Sequence, residues 1–160
     1  MESKAQNKSI KRKIMLCFYV IFLVVLSASF VFMPFGVQMA DESMTLTYIS
    51  GTMFWIGFIG TIVTAVCITA SRCRSKDFRK EYPDQKQLGL IHFFKNKPAI
   101  ACDILMLVSL IGFIITSIWV EATIFPYIFL SILIFSFGMH CMLNGSNYIY
   151  INQVNKKESD

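Results

Sequence analysis

The chain has 160 residues, enough for one compact unit rather than two soluble domains. Hydrophobic residues make up 55% of it and charged residues only 16%, against about a quarter in soluble proteins, which places it among membrane proteins. Its net charge of +5 and pI of about 9.0 do not indicate a nucleic-acid partner, because the basic residues lie beside long apolar stretches rather than on a soluble domain.

Four apolar stretches without Lys or Arg follow one another along the chain. A helix needs roughly 20 such residues to cross the hydrocarbon core, and lipid satisfies no exposed backbone groups, so each stretch must be helical. The first is longer than the roughly 7–15 apolar residues of a secretory signal, so we expect an uncleaved span. In chain order, we predict a basic cytoplasmic N-terminus (1–13), the first transmembrane helix (14–35), an external loop (36–47), the second helix (48–70), a basic cytoplasmic loop (71–98), the third helix (99–120), an external turn (121–122), the fourth helix (123–143) and a cytoplasmic tail (144–160).

All fifteen basic residues lie in three of the segments that flank these helices. Five precede the first helix, eight lie between the second and third, and two follow the fourth. Since cytoplasmic segments retain Lys and Arg, both termini are predicted to be cytoplasmic. The short external connections then predict an up-and-down four-helix bundle, an all-α multi-pass protein of the cytoplasmic cell membrane. The charge bias and the Ile-, Lys- and Asn-rich usage indicate a bacterial source.

The basic loop is the predicted surface for lipid or a partner. Anionic headgroups attract basic side chains by about 1 kcal/mol each, so we expect anionic lipids at the inner face. Its segment 88–95 is apolar and aromatic beside lysines, which is typical of a segment in the headgroup plane. The alternative is a simple lead-in to the third helix, opened by Pro98. The predicted lipid- or partner-facing residues are Arg72, Arg74, Lys76, Arg79, Lys80, Phe93, Phe94, Lys95 and Lys97.

Small residues recur at helical spacing on three of the four helices. Membrane helices pack closely through such side chains, so these stripes predict helix contacts within the bundle, with a membrane-protein partner or in a homo-oligomer. They are Gly57, Gly60, Thr64 and Cys67 on the second helix, Cys102, Ser109, Gly112 and Thr116 on the third, and Ser131, Gly138 and Cys141 on the fourth.

Four cysteines, one per helix, are predicted to lie in one layer near the cytoplasmic ends: Cys17, Cys67, Cys102 and Cys141. Thiolates in tetrahedral arrangement suit zinc or iron–sulfur centres. The chain has no CxxC pair, however, and cysteine packs as a small hydrophobic residue, so we favour packing over lipidation, redox sensing or metal binding. We therefore expect no metal and no cofactor.

Two ionisable residues, Asp103 and His140, lie in predicted helices near the cytoplasmic side. Asp103 is five residues after Pro98, or about 7.5 Å along a helix, and His140 is three residues before the predicted end of the fourth helix. Their depths match, so they could pair to relay protons or hold a cation. We favour separate roles over such a pair, with Asp103 near a basic residue or the helix N-terminus and His140 bonded to another helix. After them, Asn144-Gly145 predicts a glycine cap of the fourth helix.

No enzyme motif stands out in the sequence. It contains no HExxH, no phosphate-binding glycine loop and no Ser-His-Asp order, so no catalytic residues are assigned. We favour a non-enzymatic accessory or regulatory subunit that acts through helix packing and a basic cytoplasmic face. The alternative is a small oligomeric transporter or channel that uses Asp103 and His140 near a cytoplasmic gate. A third possibility is a membrane enzyme acting on lipid headgroups.

Overall fold

The structure is a computed structural model of the chain. It describes the backbone of residues 2–38, 44–73, 85–87, 93–94, 97–119, 124–146 and 148–150. Side chains are described for residues 14–34, 44–69, 93–94, 99–119 and 124–144.

Four long helices dominate the described structure. They are α1 (Glu2–Gln38), α2 (Met44–Cys73), α3 (Lys97–Trp119) and α4 (Phe125–Ser146). Each contains a segment long and apolar enough to cross a membrane, of 20 to 26 residues. The prediction of four helices that are long and apolar enough to span a membrane is confirmed, which indicates a multi-pass membrane protein.

The helices extend beyond the predicted spans. α1 begins at Glu2, so its basic first part continues the apolar span as one helix. Pro34 lies inside α1 near its C-terminal end, where its missing N–H removes a single bond, to the carbonyl of residue 30. α4 continues to Ser146, so the prediction that Gly145 caps this helix is wrong. No described glycine has the positive φ of such a cap, and the Asn144 side chain contacts His140 instead.

α1 and α4 lie at the centre of the helix arrangement. α1 packs on α2 and on α4, and α3 packs on α4, which gives the spatial order α2–α1–α4–α3. α1 and α4 run in opposite directions: Tyr19 of α1 donates a hydrogen bond to the carbonyl of Gly138, and Ser131 of α4 donates to the carbonyl of Ser27. The buried core follows α1 and its neighbours and contains Tyr19, Leu23, Leu26, Ile68 and Met142.

The outer surfaces of α2 and α3 are apolar and exposed. Trp55 and Val66 on α2 are each 60% exposed, and Ile118 on α3 is 71% exposed. In a soluble protein such a continuous apolar surface would be a liability, whereas a helix in the membrane presents it to lipid. These exposed faces therefore agree with the membrane assignment.

A small sheet accompanies the helices and was not predicted from the sequence. Strands β1 (Gln85–Gln87) and β2 (Tyr148–Tyr150) pair antiparallel, with Lys86 opposite Ile149. β1 belongs to the connection between α2 and α3, and β2 follows α4. The all-α prediction is thus right for the membrane part and omits this pairing outside it.

Candidate functional site

Asp103 and His140 face each other because α3 and α4 run in opposite directions. Gly112 of α3 lies against the ring of Phe129 of α4, where an added Cβ would come within 2.4 Å. Asp103 is nine residues before Gly112, and His140 is eleven residues after Phe129. At 1.5 Å per residue these distances are about 13 and 16 Å in the same direction. The two side chains therefore reach one depth and meet.

A chain of hydrogen bonds passes through the pair. The carboxylate of Asp103 bonds through Oδ1 to Nδ1 of His140. Its other oxygen, Oδ2, accepts the backbone N–H of Phe94 at 2.7 Å. On the far side of the imidazole, Nε2 lies 3.1 Å from Nδ2 of Asn144, one helical turn further along α4. Both aspartate oxygens and both ring nitrogens are thus engaged.

The centre is closed to both lipid and water. Asp103 is 1% exposed, and His140 and Asn144 are 0% exposed. Moving an ionised carboxylate out of water is strongly unfavourable unless it is paired and hydrogen-bonded. The imidazole and the Phe94 N–H supply those partners, which explains how a charged residue is accommodated inside a candidate membrane span.

A turn formed by Phe93 and Phe94 covers the pair. Phe94 has a φ of 59°, the left-handed region, which costs a non-glycine residue about 1–2 kcal/mol. That conformation accompanies the hydrogen bond from its N–H to Asp103. The ring of Phe93 stacks on the imidazole of His140, with centroids 4.5 Å apart and planes inclined by 17°. The strained backbone is held because both residues of the turn contact the pair.

The hydrogen-bond pattern allows two protonation states of His140. In the neutral imidazole, Nδ1–H donates to Asp103 and Nε2 accepts from the amide of Asn144. When Nε2 also carries a proton, it can donate to the amide oxygen of Asn144 after a half-turn of that side chain. Each state keeps both ring nitrogens hydrogen-bonded.

Glycines predicted at helix contacts each lie against another helix. A Cβ atom built at any of them would lie 2.5 Å or less from an atom of the neighbouring helix. The contacts are Gly57 with Leu26, Gly60 with Phe22, Gly112 with Phe129 and Gly138 with Leu23. Close approach at these positions depends on the missing side chain.

The hydroxyl residues of the stripes behave differently from one another. Thr64 and Thr116 donate to carbonyls of their own helices at 2.7 Å. Ser109 is buried and also bonds within its helix, at 3.0 Å. Ser131 alone among these donates to another helix, reaching the carbonyl of Ser27 at 2.7 Å. Only this last hydroxyl links two helices by a hydrogen bond, among the stripe residues that the structure describes.

The cysteines do not converge. Cys17 and Cys67 are exposed, and Cys102 and Cys141 are partly buried. Cys67 was predicted to continue the contact stripe of Gly57, but ten residues turn a helix to about 80° from the starting direction, and it faces outward. Among the side chains described, no three His, Cys, Asp or Glu residues are placed to hold a metal ion together.

Of the predicted lipid- or partner-facing set, the structure describes the side chains of Phe93 and Phe94. Both are exposed on one side, at 39% and 52%, while their other side covers the aspartate–histidine pair. The basic side chains of the set lie outside the described residues: Arg72, Arg74, Lys76, Arg79, Lys80, Lys95 and Lys97.

Two parts of the site were not predicted from the sequence. Asn144 was interpreted as the end of a helix, although its position four residues after His140 puts both on one helix face. That spacing was the available signal. The turn at Phe93 and Phe94 was interpreted as a headgroup segment, and no sequence feature indicates its contact with His140.

A relationship to known proteins does not identify this site: no family model, curated protein or solved structure matches the chain. The site itself is a buried polar centre of Asp103, His140 and Asn144, covered by the Phe93–Phe94 turn, in a chain with four helices able to span a membrane.

Proposed function

We propose that this protein is a small proton-linked transporter in which Asp103 and His140 bind and release a proton near the cytoplasmic side. The observation that carries the proposal is the fully buried hydrogen-bonded chain from Phe94 through Asp103 and His140 to Asn144. Ionisable residues within spans are rare, face the interior, pair with one another and mark ion or proton pathways. Asp103 and His140 are buried, paired with each other and located in candidate spans. The proton pathway is the part that we propose.

A gain in folding stability does not by itself explain a buried aspartate–histidine pair. Replacing a buried ion pair by apolar residues of similar volume is often neutral or stabilising, by about 1–4 kcal/mol. Histidine is also the side chain whose unperturbed charge change falls near neutral pH, which suits this residue type to proton exchange. These arguments support the transporter over a purely structural link between α3 and α4.

Proton flux into liposomes tests the proposal. The purified protein is reconstituted with an internal pH-sensitive dye, and a pH gradient is applied with a potassium potential clamp. We expect Asp103→Asn and His140→Gln to reduce the flux at least tenfold. Ser136→Ala is the matched control, because Ser136 is 0% exposed on the same helix and bonds only to the carbonyl of Ile132 among the contacts described. Flux that survives the double Asp103→Asn, His140→Gln replacement removes the proposal.

Direct titration tests the proton-binding step independently of transport. The chain contains two histidines, so nitrogen-15 histidine labelling gives two imidazole spectra, and His140→Gln assigns them. We expect the His140 resonances to move from the neutral to the protonated pattern as the pH is lowered across the range tested. An imidazole that keeps one protonation state from pH 4 to 10 contradicts the proposal.

The proposed orientation places both termini and the connection between α2 and α3 in the cytoplasm, with α1 to α4 as an up-and-down bundle in the cell membrane. The one-sided distribution of the fifteen basic residues supports it, and it brings the basic segments next to anionic lipids of the inner leaflet. Reporter fusions test it: a fluorescent protein that requires the cytoplasm should mature at either terminus. A periplasmic phosphatase fused there should stay inactive, and activity at either end reverses the orientation.

A second candidate is the accessory or regulatory subunit, which acts on a membrane-protein partner or on a second copy of the chain. The exposed apolar faces of α2 and α3 favour it, since Trp55, Ile59 and Ile118 are each more than half exposed. Crosslinking in native membranes followed by mild extraction tests this candidate. Recovery of the uncrosslinked monomer alone counts against it, and a partner crosslinked through α2 or α3 supports it.

A further inference from the structure

We propose that Phe93 is a positioning residue of the proton centre, whose ring face stabilises the protonated imidazole of His140. This inference rests on the proton-binding role proposed above and adds a residue that sets the proton affinity. It assigns a function to the Phe93–Phe94 turn, which the hydrogen-bond chain alone does not explain.

The stacking geometry carries the argument. The Phe93 and His140 rings lie 4.5 Å apart, centroid to centroid, with planes only 17° from parallel. A cation over an aromatic face within about 6 Å of its centroid is attracted by the negative face of the ring. A protonated imidazole spreads its charge over its own ring and therefore presents a cation to Phe93. Because His140 is 0% exposed, water does not weaken this attraction on its side.

The turn is attached to the pair at two points. Phe93 contacts the imidazole, and the N–H of Phe94 bonds to Oδ2 of the same aspartate whose Oδ1 bonds to His140. The left-handed backbone of Phe94 accompanies both contacts. This arrangement fixes the Phe93 ring over one face of the imidazole rather than leaving it to adjust.

The charged and titratable groups around His140 are few among the described residues. From α3 the charged group is Asp103, which bonds to Nδ1 and has Cys102 as its neighbour in the chain. On α4 the adjacent titratable residue is Cys141, and from α1 the Tyr19 hydroxyl bonds to the carbonyl of Gly138. Replacing Phe93 changes none of these described groups, and the fluorinated phenylalanines keep the shape of the ring that contacts them.

The experiment follows the titration of His140 by nitrogen-15 NMR in the full-length protein in nanodiscs. Phe93 is replaced by phenylalanines with increasing numbers of fluorine atoms, which keep the shape of the ring and weaken its negative face. We expect the proton affinity of His140 to fall step by step, by about threefold to thirtyfold over the series, or roughly 0.5 to 1.5 pH units in the titration midpoint. Phe93→Leu should lower it by a similar amount, and the control Phe137→Leu, on the exposed side of α4, should not.

The direction of the shift separates this inference from simple shielding. If Phe93 only excludes water, removing it admits water, favours the charged imidazole and raises the titration midpoint. A raised or unchanged midpoint across the fluorinated series therefore overturns the role of Phe93 while leaving the proton-binding centre intact. An imidazole that does not titrate even in the unmodified protein overturns the proposed function itself.

Discussion

Adding one methyl group at Gly57 tests the close contact between α1 and α2. A Cβ atom at this position would lie 2.5 Å from the backbone nitrogen of Leu26 and 2.7 Å from its Cα. Carbon atoms pack best at about 3.5–4.0 Å, so the two backbones would have to separate by about 1 Å. Such overpacking costs about 1–3 kcal/mol, against a gain of about 0.5–1 kcal/mol from replacing glycine by alanine in a helix. We expect Gly57→Ala to destabilise the protein by about 1–2 kcal/mol.

Gly51→Ala is the matched control on the same helix. A Cβ atom there would meet nothing within 4 Å, so only the helix-propensity gain of about 0.5–1 kcal/mol applies. Equilibrium unfolding by SDS in mixed micelles measures both variants, and the propensity gain cancels in their difference. We expect Gly57→Ala to be less stable than Gly51→Ala by about 1–3 kcal/mol. Equal stabilities would refute the close approach of α1 and α2.

Three further predictions concern the polar contacts and the turn, and the same unfolding assay measures them. Asp103→Ala removes the acceptor of two N–H donors and should lower the free energy of unfolding by about 2–5 kcal/mol. Asp103→Asn keeps one acceptor oxygen and should lower it clearly less. The reverse order would contradict the hydrogen-bond chain. Ser131→Ala breaks the hydrogen bond to Ser27 on α1 and should lower the free energy of unfolding by about 0.6–1.7 kcal/mol. A loss of stability no greater than that of Ser136→Ala would argue against an interhelical hydrogen bond. Phe94→Val should be less stable than Phe94→Asn by about 1 kcal/mol or more, because asparagine tolerates a φ of 59° and a β-branched residue does not. Equal stabilities of the two variants would rule out this backbone conformation.

The four apolar helices could be predicted from the sequence because each depends only on residues close together in the chain. A span is defined by a run of apolar residues of sufficient length, and the predicted third helix, 99–120, differs from α3 by only two residues at its start and one at its end. The same information made Asp103 and His140 a candidate pair, because their predicted depths match. It did not decide between a pair and separate roles, since the sequence does not show which faces of α3 and α4 meet.

The rest of the site depends on contacts that no local pattern encodes. Phenylalanine has no preference for the left-handed region, so nothing in the sequence marks Phe94 for a φ of 59°. An asparagine followed by glycine can end a helix or can lie buried within one, and the sequence does not distinguish the two. Asn144 is buried here because α4 packs against α3. Strands of three residues, such as β1 and β2, are too short to show the alternation that predicts a strand.

The central position of α1 and α4 has a consequence for assembly of the chain. α1 with α2, and α3 with α4, each form a hairpin from helices that are consecutive in the sequence, while the α1–α4 contact joins the two hairpins. β1 pairs with β2, so it belongs with the second hairpin although it precedes α3. The first helix therefore completes its contacts only when the last has been synthesised and inserted. A break between Cys73 and Gln85 would divide the chain into two helical hairpins whose main contact is the one between α1 and α4.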